Sequence, residues 1–513
     1  VSGALLIVVG GVALAMTLQS ATNPLVLYGR FWPLLVGVVA LVEVLRHYTW
    51  RPETGEVRPA LFGTGKLALV ALVVVSGIGA NRLAEANPNL LARISMPAGL
   101  DRLRDHLFGE EFTFPAMREV APLPSGGVVA VANRYGDVAV EAYDGAEVEV
   151  LLTPSVRAYD RATAEGVAER LRLTVATSGQ IVSVGTNRAE IEHEVSTNLL
   201  VRVPRAAALQ ISQAHGKVAV TGVAPAGGTV AVDAAHAPVE IRGVVAPIEI
   251  ATTRETVTVA DSSGSLSVTG RNDVKVSRFD GRMRFEDSDL VQIKDSGSTS
   301  IELVSVDHAS VTIENVSAAL PEATDSAASP THISIEGVHT RVTLRSIVGD
   351  VSVKTTHDSV TATDVSGALE VVASHSDVKV TNVGSLRVKT DHDDVRVRDV
   401  AGSVDVENDH GNVTVSGFRA GCVVRTTFDD VRLEAHREQA GDVRVENEHG
   451  KIDLRLPTGK NYRIEPVVSR GRVRLADEFE SSGVAAATGN PGYNVFLKTT
   501  NDDIVVRALS GRQ

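Results

Sequence analysis

The chain has 513 residues, too many for one small domain, and a net charge of −13. This acidic balance, without a basic run that alternates with aromatic residues, argues against a general nucleic-acid binder. Aromatic residues make up only 4% of the chain, which suits a narrow repetitive β core better than an enzyme with an aromatic-lined pocket, and a single cysteine, Cys422, excludes an internal disulfide.

Three apolar stretches predict a membrane region over residues 1–82. They cover residues 4–18, 24–45 and 67–80, and a spanning helix needs about 20 apolar residues, so two to three helices are expected. A secretory signal is the alternative for the first stretch, although no convincing cleavage motif follows it. The loop between the last two stretches carries basic residues, Arg51 and Arg58 among them, which the positive-inside rule assigns to the cytoplasm. A multi-pass protein of the cell membrane is therefore expected, with its C-terminal part extracytoplasmic.

Residues 83–125 are predicted as a connector, and residues 126–208 as a small α/β cap. The cap begins with a repeat-like unit from Val129 to Val140 and continues with short apolar strands and a helix predicted over residues 160–171. Terminal units of repeat proteins are commonly atypical, which fits a cap at this end.

Residues 209–513 repeat one pattern at intervals of roughly 17 or 18 residues. In the clearest units two apolar-x-apolar pairs flank a histidine, as in Leu369-Glu-Val371, His375 and Val378-Lys-Val380. Side chains alternate across a strand, so each pair predicts a short strand with one buried face. Stacked coils of such strands bury a continuous apolar column that one coil cannot form alone. The prediction is an all-β fold, a β-helix-like repeat β-solenoid.

The pattern is less regular in two places. From Ser262 to Leu303 the register is expected to slip by one residue near Asp273 and Asp289. Two longer coils, around Val473 and then Ile504, are expected to finish the array.

The segments Asn198–Pro204 and Gln213–Val220 resemble the toastrack-type "putative adhesin" β-solenoid repeat family. In that family a strand, a proline, a second strand and a Thr-x-Asn-Gly-Asp-Val turn follow one another, and Lys498–Ile504 is an especially close match. The likeness extends over residues 126–509. It implies no catalytic residues, and this chain departs from it by placing His where the family commonly has Asn.

The N-terminal residues 3–42 resemble the membrane region of Lia-type cell-envelope stress-response proteins. Gly10-Gly11 and Phe31-Trp32-Pro33 carry this second resemblance. It implies a membrane-tethered protein with a role in envelope sensing.

Histidine recurs three residues before the second apolar pair of a unit. The members are His215, His236, His308, His339, His357, His375, His392, His410 and His449. One interpretation is a proton-sensitive edge or a line of metal ligands, with His357, His375, His392 and His410 as candidates. The interpretation we favour is a corner ladder of stacked side chains that satisfies turn backbone groups and holds no metal, because Arg254, Phe428 and Arg470 occupy the same column.

Paired carboxylates recur in turns, at residues 393–394, 429–430 and 502–503. Calcium binding or acid–base chemistry is one interpretation, and ordinary turn-forming aspartates are the one we favour. The sequence has no Gly-x-Ser-x-Gly, phosphate-binding Gly-Lys or Cys-x-x-Cys motif. Cys422 falls in an inward apolar column and is expected to be a buried, inert thiol. We therefore predict no catalytic residue, no cofactor and no enzymatic activity.

The favoured function is a membrane-anchored extracytoplasmic scaffold or sensor in the bacterial cell envelope. Its expected partners are the lipid bilayer and an envelope protein or polymer, with no nucleic acid. Outward basic residues between the apolar positions suggest contact with anionic polymers or lipids. The simpler explanation is that these charges are scattered and solvated. The outward basic residues include Lys275, Lys379, Arg396, Arg432 and Arg474. The alternatives are a surface adhesin and a polysaccharide-acting β-solenoid enzyme.

Overall fold

The computed structural model describes residues 109–191, 194–317, 331–480 and 492–509. None of the helices within these ranges combines the length and the apolar character needed to cross a bilayer. The membrane helices predicted within residues 1–82 lie outside the described residues and stay a prediction.

The described chain is almost entirely β-structure, joined into one sheet of 32 strands. The N-terminal part contains β1 (Glu110–Thr113), β2 (Met117–Pro122), β3 (Val128–Tyr135), β4 (Val138–Tyr143), β5 (Glu147–Ala158), helix α1 (Arg161–Ala168), β6 (Leu173–Ser178), β7 (Ile181–Thr186), a 3-10 turn (Asn187–Glu190) and β8 (Val195–Pro204).

The repeats that follow use both short strands and long strands that bend at a corner. Their first half contains β9 (Ala208–His215), β10 (Val218–Thr221), β11 (Val230–His236), β12 (Val239–Arg242), β13 (Ile248–Thr252), β14 (Thr256–Thr269), β15 (Asp273–Glu286), β16 (Leu290–Val304), β17 (Ser310–Ser317) and β18 (Thr331–Glu336).

The second half begins with three long strands and returns to short ones. It contains β19 (Arg341–Thr356), β20 (Val360–Ser374), β21 (Val378–Thr390), β22 (Val395–Val400), β23 (Val404–Asn408), β24 (Val413–Phe418), β25 (Cys422–Thr426), β26 (Val431–Ala435), β27 (Val443–Asn447), β28 (Ile452–Leu456), β29 (Tyr462–Val468), β30 (Val473–Leu475), helix α2 (Asp477–Glu480), β31 (Tyr493–Thr499) and β32 (Ile504–Ala508).

From β9 to β28 each strand pairs in parallel with the equivalent strand of the neighbouring coil, as the repeat predicts. Val360 lies opposite Val378, and Val378 lies opposite Val395. All three are at most 1% exposed, whereas Lys379 between the paired valines points to solvent. This alternation produces a continuous apolar interior, the arrangement of a β-solenoid, so the predicted all-β class is confirmed.

The register from Ser262 to Leu303 differs from the prediction. Val257, Val274, Val291 and Val311 face one another on consecutive coils without a slip near Asp273 or Asp289. The register shift in this stretch falls between Asp280 and Arg282, at a bend of β15. The coils change length at their corners because stacking fixes the pairing of the buried valines.

Glycine lets the coils approach closely at one corner. Gly281 has a φ of +141°, and a Cβ there would lie 1.8 Å from the carbonyl oxygen of Gly264 in the preceding coil. In the later coils, a Cβ at Gly384 would lie 2.3 Å from the carbonyl oxygen of Ser366. A side chain at this corner would therefore separate coils that the backbone hydrogen bonds hold together.

The N-terminal end of the array is covered by antiparallel strands. β7 and β8 stack beneath β3 and β4, and β5 and β6 then pair antiparallel with β8 and β7. The Asp160 side chain caps α1, accepting the N–H of Thr163 at 2.8 Å. These elements match the strands and helix predicted here and protect the edge of the array from further pairing. The segment 83–125, predicted as a connector, contributes β1 and β2, which both pair with β5.

At the C-terminal end the coils do not stack in sequence order. β31 lies between β27 and β29, and β32 lies between β28 and β30. The coil around Ile504 is therefore internal, and the coil around Val473 is terminal, which corrects the predicted order. Phe479 of α2 is 3% exposed and meets the ring of Tyr462 edge-on at 6.0 Å, so this terminal coil is partly covered.

Candidate functional site: a stacked ring column

A column of aromatic and imidazole rings runs along one corner of the coils, and we call it the ring column. Its first segment contains Tyr135, His215 and His236, and its second contains His308, His339, His357, His375, His392, His410, Phe428 and His449. Each ring lies three residues before the first buried residue of the next strand segment.

Neighbouring rings of the second segment are stacked face to face. The closest pair is His375 and His392, whose ring centroids are 4.3 Å apart with planes inclined by 11°. The most inclined pair is His410 and Phe428, at 4.6 Å and 20°. Paired strands lie about 4.8 Å apart, so equivalent side chains of successive coils meet at stacking distance. The stacking that the corner-ladder interpretation expects is present in this geometry.

The turns beneath the rings change type along the column. His308, His339, His357 and His375 themselves have φ between 53° and 58°. From His392 onward the left-handed residue is the one after the ring, namely Asp393, Gly411, Asp429 and Gly450. Histidine tolerates this conformation better than β-branched residues do, which explains its presence at the first kind of turn.

Buried amides support the second kind of turn from inside. Asn408 is 1% exposed, and its Nδ2 donates to the carbonyl oxygens of Asp393 at 3.2 Å and Gly411 at 3.1 Å. Asn447 repeats this contact two coils later. The backbone groups of the corner are thus satisfied by an inner ladder rather than by the rings.

The paired carboxylates of the turns connect neighbouring coils. Asp394 Oδ1 accepts the backbone N–H of Asn412 at 2.9 Å, and Asp430 Oδ1 accepts that of Lys451 at 3.1 Å. Asp503 Oδ1 accepts the N–H of Arg472 at 2.7 Å in the same way. The second aspartate of each pair therefore acts as a coil-to-coil hydrogen-bond acceptor.

One part of the ring column brings ligand-type atoms together. His375, Asp391 and His392 each place one ligand atom within 4.8 Å of the others, the one such group among the residues that the structure describes. Asp391 Oδ1 and His392 Nδ1 are 3.4 Å apart. Ser374 Oγ lies 3.0 Å from Asp391 Oδ2 and 2.9 Å from His375 Nδ1.

Burial of the Asp391 carboxyl raises its pKa, but the hydrogen bond from Ser374 and the adjacent His392 imidazole outweigh this effect and leave the pKa below its usual value. The carboxylate is therefore ionised at neutral pH. Ser374 lies between His375 and Asp391, whereas a hydrolase triad places the histidine between the serine and the acid. This order does not make the Ser374 hydroxyl a nucleophile.

The four predicted metal candidates are consecutive in the ring column, but only His375 and His392 belong to the three-residue group. His357 and His410 stack on their outer sides, with centroids 4.9 Å away in both cases. Sequence reasoning missed Ser374 and the place of Tyr135 in the column. The position of Tyr135 three residues before Val138 is the signal that could have identified it.

The outward basic residues are largely neutralised by the corner aspartates. Arg396 pairs with Asp394 and Asp377, and Arg432 pairs with Asp430. Arg474 is 3.8 Å from Asp503. Lys275 and Lys379 are exposed and have no ion pair within the part of the chain that the structure describes.

Cys422 is fully buried at the start of β25. Burial raises the pKa of its thiol to about 12. The expectation of a buried, inert thiol is confirmed.

Comparison with known proteins agrees with the repeat geometry. The chain matches the Toastrack DUF4097 family over residues 245–507, just over half of its length. It belongs to the Toastrack DUF4097 family. The toastrack resemblance of the sequence is thereby confirmed, while the Lia-type resemblance of residues 3–42 stays a prediction.

Among solved structures, this Toastrack protein is matched to one titled a putative cell adhesion protein from Clostridium sporogenes. The identity is 4%, the coverage is 77% of this chain and 100% of the other, and the TM-score is 0.13. Such a score supports no structural or functional argument. None of the curated proteins compared with the chain is significantly similar to it.

Proposed function

We propose that this protein is a membrane-anchored, extracytoplasmic interaction scaffold or sensor of the bacterial cell envelope, without enzymatic activity. The observation that carries the proposal is the run of in-register coils, which aligns outward residues in rows. In one row Thr361, Lys379 and Arg396 face solvent on consecutive coils. A surface that repeats about every 4.8 Å matches an extended polymer or protein segment better than a compact small molecule.

The anchor and its orientation rest on the sequence of residues 1–82. Reporter domains inserted at Arg58 and at Thr356 test them in intact cells. We expect a cytoplasmic signal at Arg58 and an extracytoplasmic signal at Thr356. A cytoplasmic signal at Thr356 would contradict the proposed location.

A capture experiment with the full chain tests the scaffold role. We call the solvent-facing side of the strand segments that carry the row of Thr361, Lys379 and Arg396 the row face. Lys379→Glu and Arg398→Glu reverse two exposed charges on it, and both residues lack ion pairs within the described ranges. Arg282→Glu, at an exposed residue of the other strand segment that likewise has no ion pair within the described ranges, is the matched control. If an anionic envelope component binds the row face, the first two variants reduce its recovery and the control does not.

The outcomes separate the alternatives. Recovery of no envelope component by the wild-type chain would contradict a scaffold role. Shortening of a bound polysaccharide would show an enzyme, and preferential binding to other cells would favour an adhesin.

A further inference from the structure

We propose that His375, Asp391 and His392 form a binding site for one divalent transition-metal ion, with zinc as the representative. The three residues come from two consecutive coils at the ring column. One ligand nitrogen of each histidine and one carboxylate oxygen lie within 4.8 Å of one another.

The first line of evidence is the distance between Asp391 Oδ1 and His392 Nδ1. Ligand atoms about 2.0–2.2 Å from a tetrahedral zinc ion are about 3.3–3.6 Å apart. The two atoms are 3.4 Å apart. That separation is the edge of a zinc tetrahedron and is longer than an ordinary N–H···O hydrogen bond.

The second line of evidence is that these two atoms lack other partners. Asp391 Oδ1 and His392 Nδ1 are both shielded from solvent, and neither makes a hydrogen bond within the part of the protein that the structure describes. Shielded polar atoms without a partner are costly in free energy. A metal ion between the two atoms removes that cost, because both would become ligands.

The Asp391 carboxylate is already held in place for this role. Its second oxygen, Oδ2, accepts a hydrogen bond from Ser374 Oγ at 3.0 Å. Such an outer contact fixes the orientation of a ligating carboxylate and leaves its other oxygen for the ion.

His375 supplies the third ligand by a side-chain rotation. The planes of the His375 and His392 rings are inclined by only 11°. A ligating nitrogen must point at the ion in the plane of its own ring, so the two rings cannot both bind one ion until one of them turns. His375 is exposed, and its Nδ1 is 2.9 Å from Ser374 Oγ. The rotation exchanges this contact for a metal bond and leaves the contact of Ser374 with Asp391 intact.

The neighbouring coils do not bring ligand atoms together in the same way within the described residues. His357 follows Thr356 rather than an acid. Asp409 precedes His410, and His392 is the ring before it, but Asp409 Oδ1 accepts Thr427 Oγ1 at 2.8 Å, and these three residues do not bring their ligand atoms within 4.8 Å of one another. One site among the residues that the structure describes follows from this difference.

Two imidazole nitrogens and one carboxylate oxygen select the class of ion. Imidazole suits zinc, nickel and copper, whereas calcium and magnesium prefer all-oxygen sites. Three protein ligands leave one tetrahedral position open for water or for a donor atom of a partner.

The test uses the full chain without a histidine tag, purified in detergent and freed of metal. Zinc binding is measured by calorimetry, and cobalt(II) is followed through its visible absorption. We expect one ion per chain and an absorption typical of four-coordinate cobalt. Asp391→Asn and His392→Asn should each weaken binding at least about tenfold, since loss of a supporting residue alone commonly does so.

His339→Asn is the matched control, because His339 stacks between two column rings at 4.6 Å on each side and has no ligand group around it. It should bind zinc as the wild-type chain does. Circular dichroism checks that every variant keeps its β-structure. If a variant unfolds, exposed His375→Asn replaces it in the comparison.

Three results would overturn the proposal. The first is that the wild-type chain shows no saturable zinc binding. The second is that folded variants of Asp391, His392 or His375 bind zinc as tightly as the wild-type chain, and the third is that the His339 control loses as much affinity as they do. Calcium that competes with zinc at equal concentration would contradict the assigned class of ion.

Discussion

The side chain of Asn447 bonds to the backbone of the preceding coil. Its Nδ2 donates to the carbonyl oxygen of Asp429 at 2.9 Å and to that of Gly450 at 3.1 Å, and the residue is 2% exposed. One buried amide thus satisfies acceptors on two successive corners. The ring of His449 stacks outside this contact, on Phe428 at 5.0 Å.

Asn447→Ala should destabilise the fold by about 1–3 kcal/mol, because the carbonyl oxygen of Asp429 loses its side-chain donor and that of Gly450 keeps only Thr499 Oγ1, at 3.3 Å. Chemical denaturation with a β-structure signal measures the change. Glu448→Ala, at an exposed neighbouring position, should change stability by less than about 0.5 kcal/mol. Equal effects of the two substitutions would mean that the inner amide ladder is not needed.

Val378→Asp and Lys379→Asp test the direction of adjacent side chains. Val378 is 1% exposed between Val360 and Val395, so a carboxylate there would be buried without a partner and cost more than about 3 kcal/mol. Lys379 points to solvent, and its replacement should be nearly neutral. Thermal melts of the two variants compare them directly, and similar melting temperatures would contradict the observed register.

Gly281→Ala should be strongly destabilising, because the new Cβ would lie 1.8 Å from the carbonyl oxygen of Gly264. The φ of +141° adds strain for any side chain. Gly166→Ala, at an exposed position of helix α1, is the control, since nothing lies within 4 Å of its Cβ position, and it should stabilise by up to about 1 kcal/mol. Denaturation midpoints measure both, and a neutral Gly281→Ala would show that the coils can separate at this corner.

Cys422 should resist thiol reagents at pH 8 in the folded protein and react readily in denaturant. The folded thiol has a pKa of about 12 against an ordinary value of 9.0, so the folded state binds more protons between these values. Its contribution to stability is complete below pH 9 and falls as the pH rises, by up to about 1.4 kcal/mol per pH unit.

Cys422→Ala is the control for this pH dependence. Between pH 8 and pH 11 its unfolding free energy should fall less steeply than that of the wild type, whatever the cost of the small cavity. Parallel curves, or rapid modification of the folded wild-type thiol, would contradict deep burial.

The main elements of the fold were predictable because they depend on local spacing. Alternation with other residues along a strand assigns an inward direction to Leu369, Val371, Val378 and Val380. This assignment does not depend on which coils stack on either side. The helix after Asp160 was predictable for the same reason. The register from Ser262 to Leu303 was not, because changes of corner length such as that between Asp280 and Arg282 look like a slip in a linear sequence.

The candidate site shows the same division. The recurrence of His375 and His392 predicted two neighbours in one column, since each follows the same pattern. That Asp391 Oδ1 would lie 3.4 Å from His392 Nδ1, and that Ser374 would bond to Asp391 across the coils, depended on side-chain orientations at a turn. Such orientations follow from the turn type, which changes between these two coils.

The sequence by itself determined the β-solenoid repeat, the buried faces of the strands and the membership of His357 and its equivalents in one column, because these follow from periodic placement of residues along the chain. Only the tertiary structure decided that β31 and β32 insert between earlier coils and that His375, Asp391 and His392 converge. Both depend on which coils stack on each other, and any two coils with the same apolar spacing can stack. Which coils become neighbours is decided by the contacts at the corners and by the packing at the ends of the array. No local sequence pattern encodes these contacts.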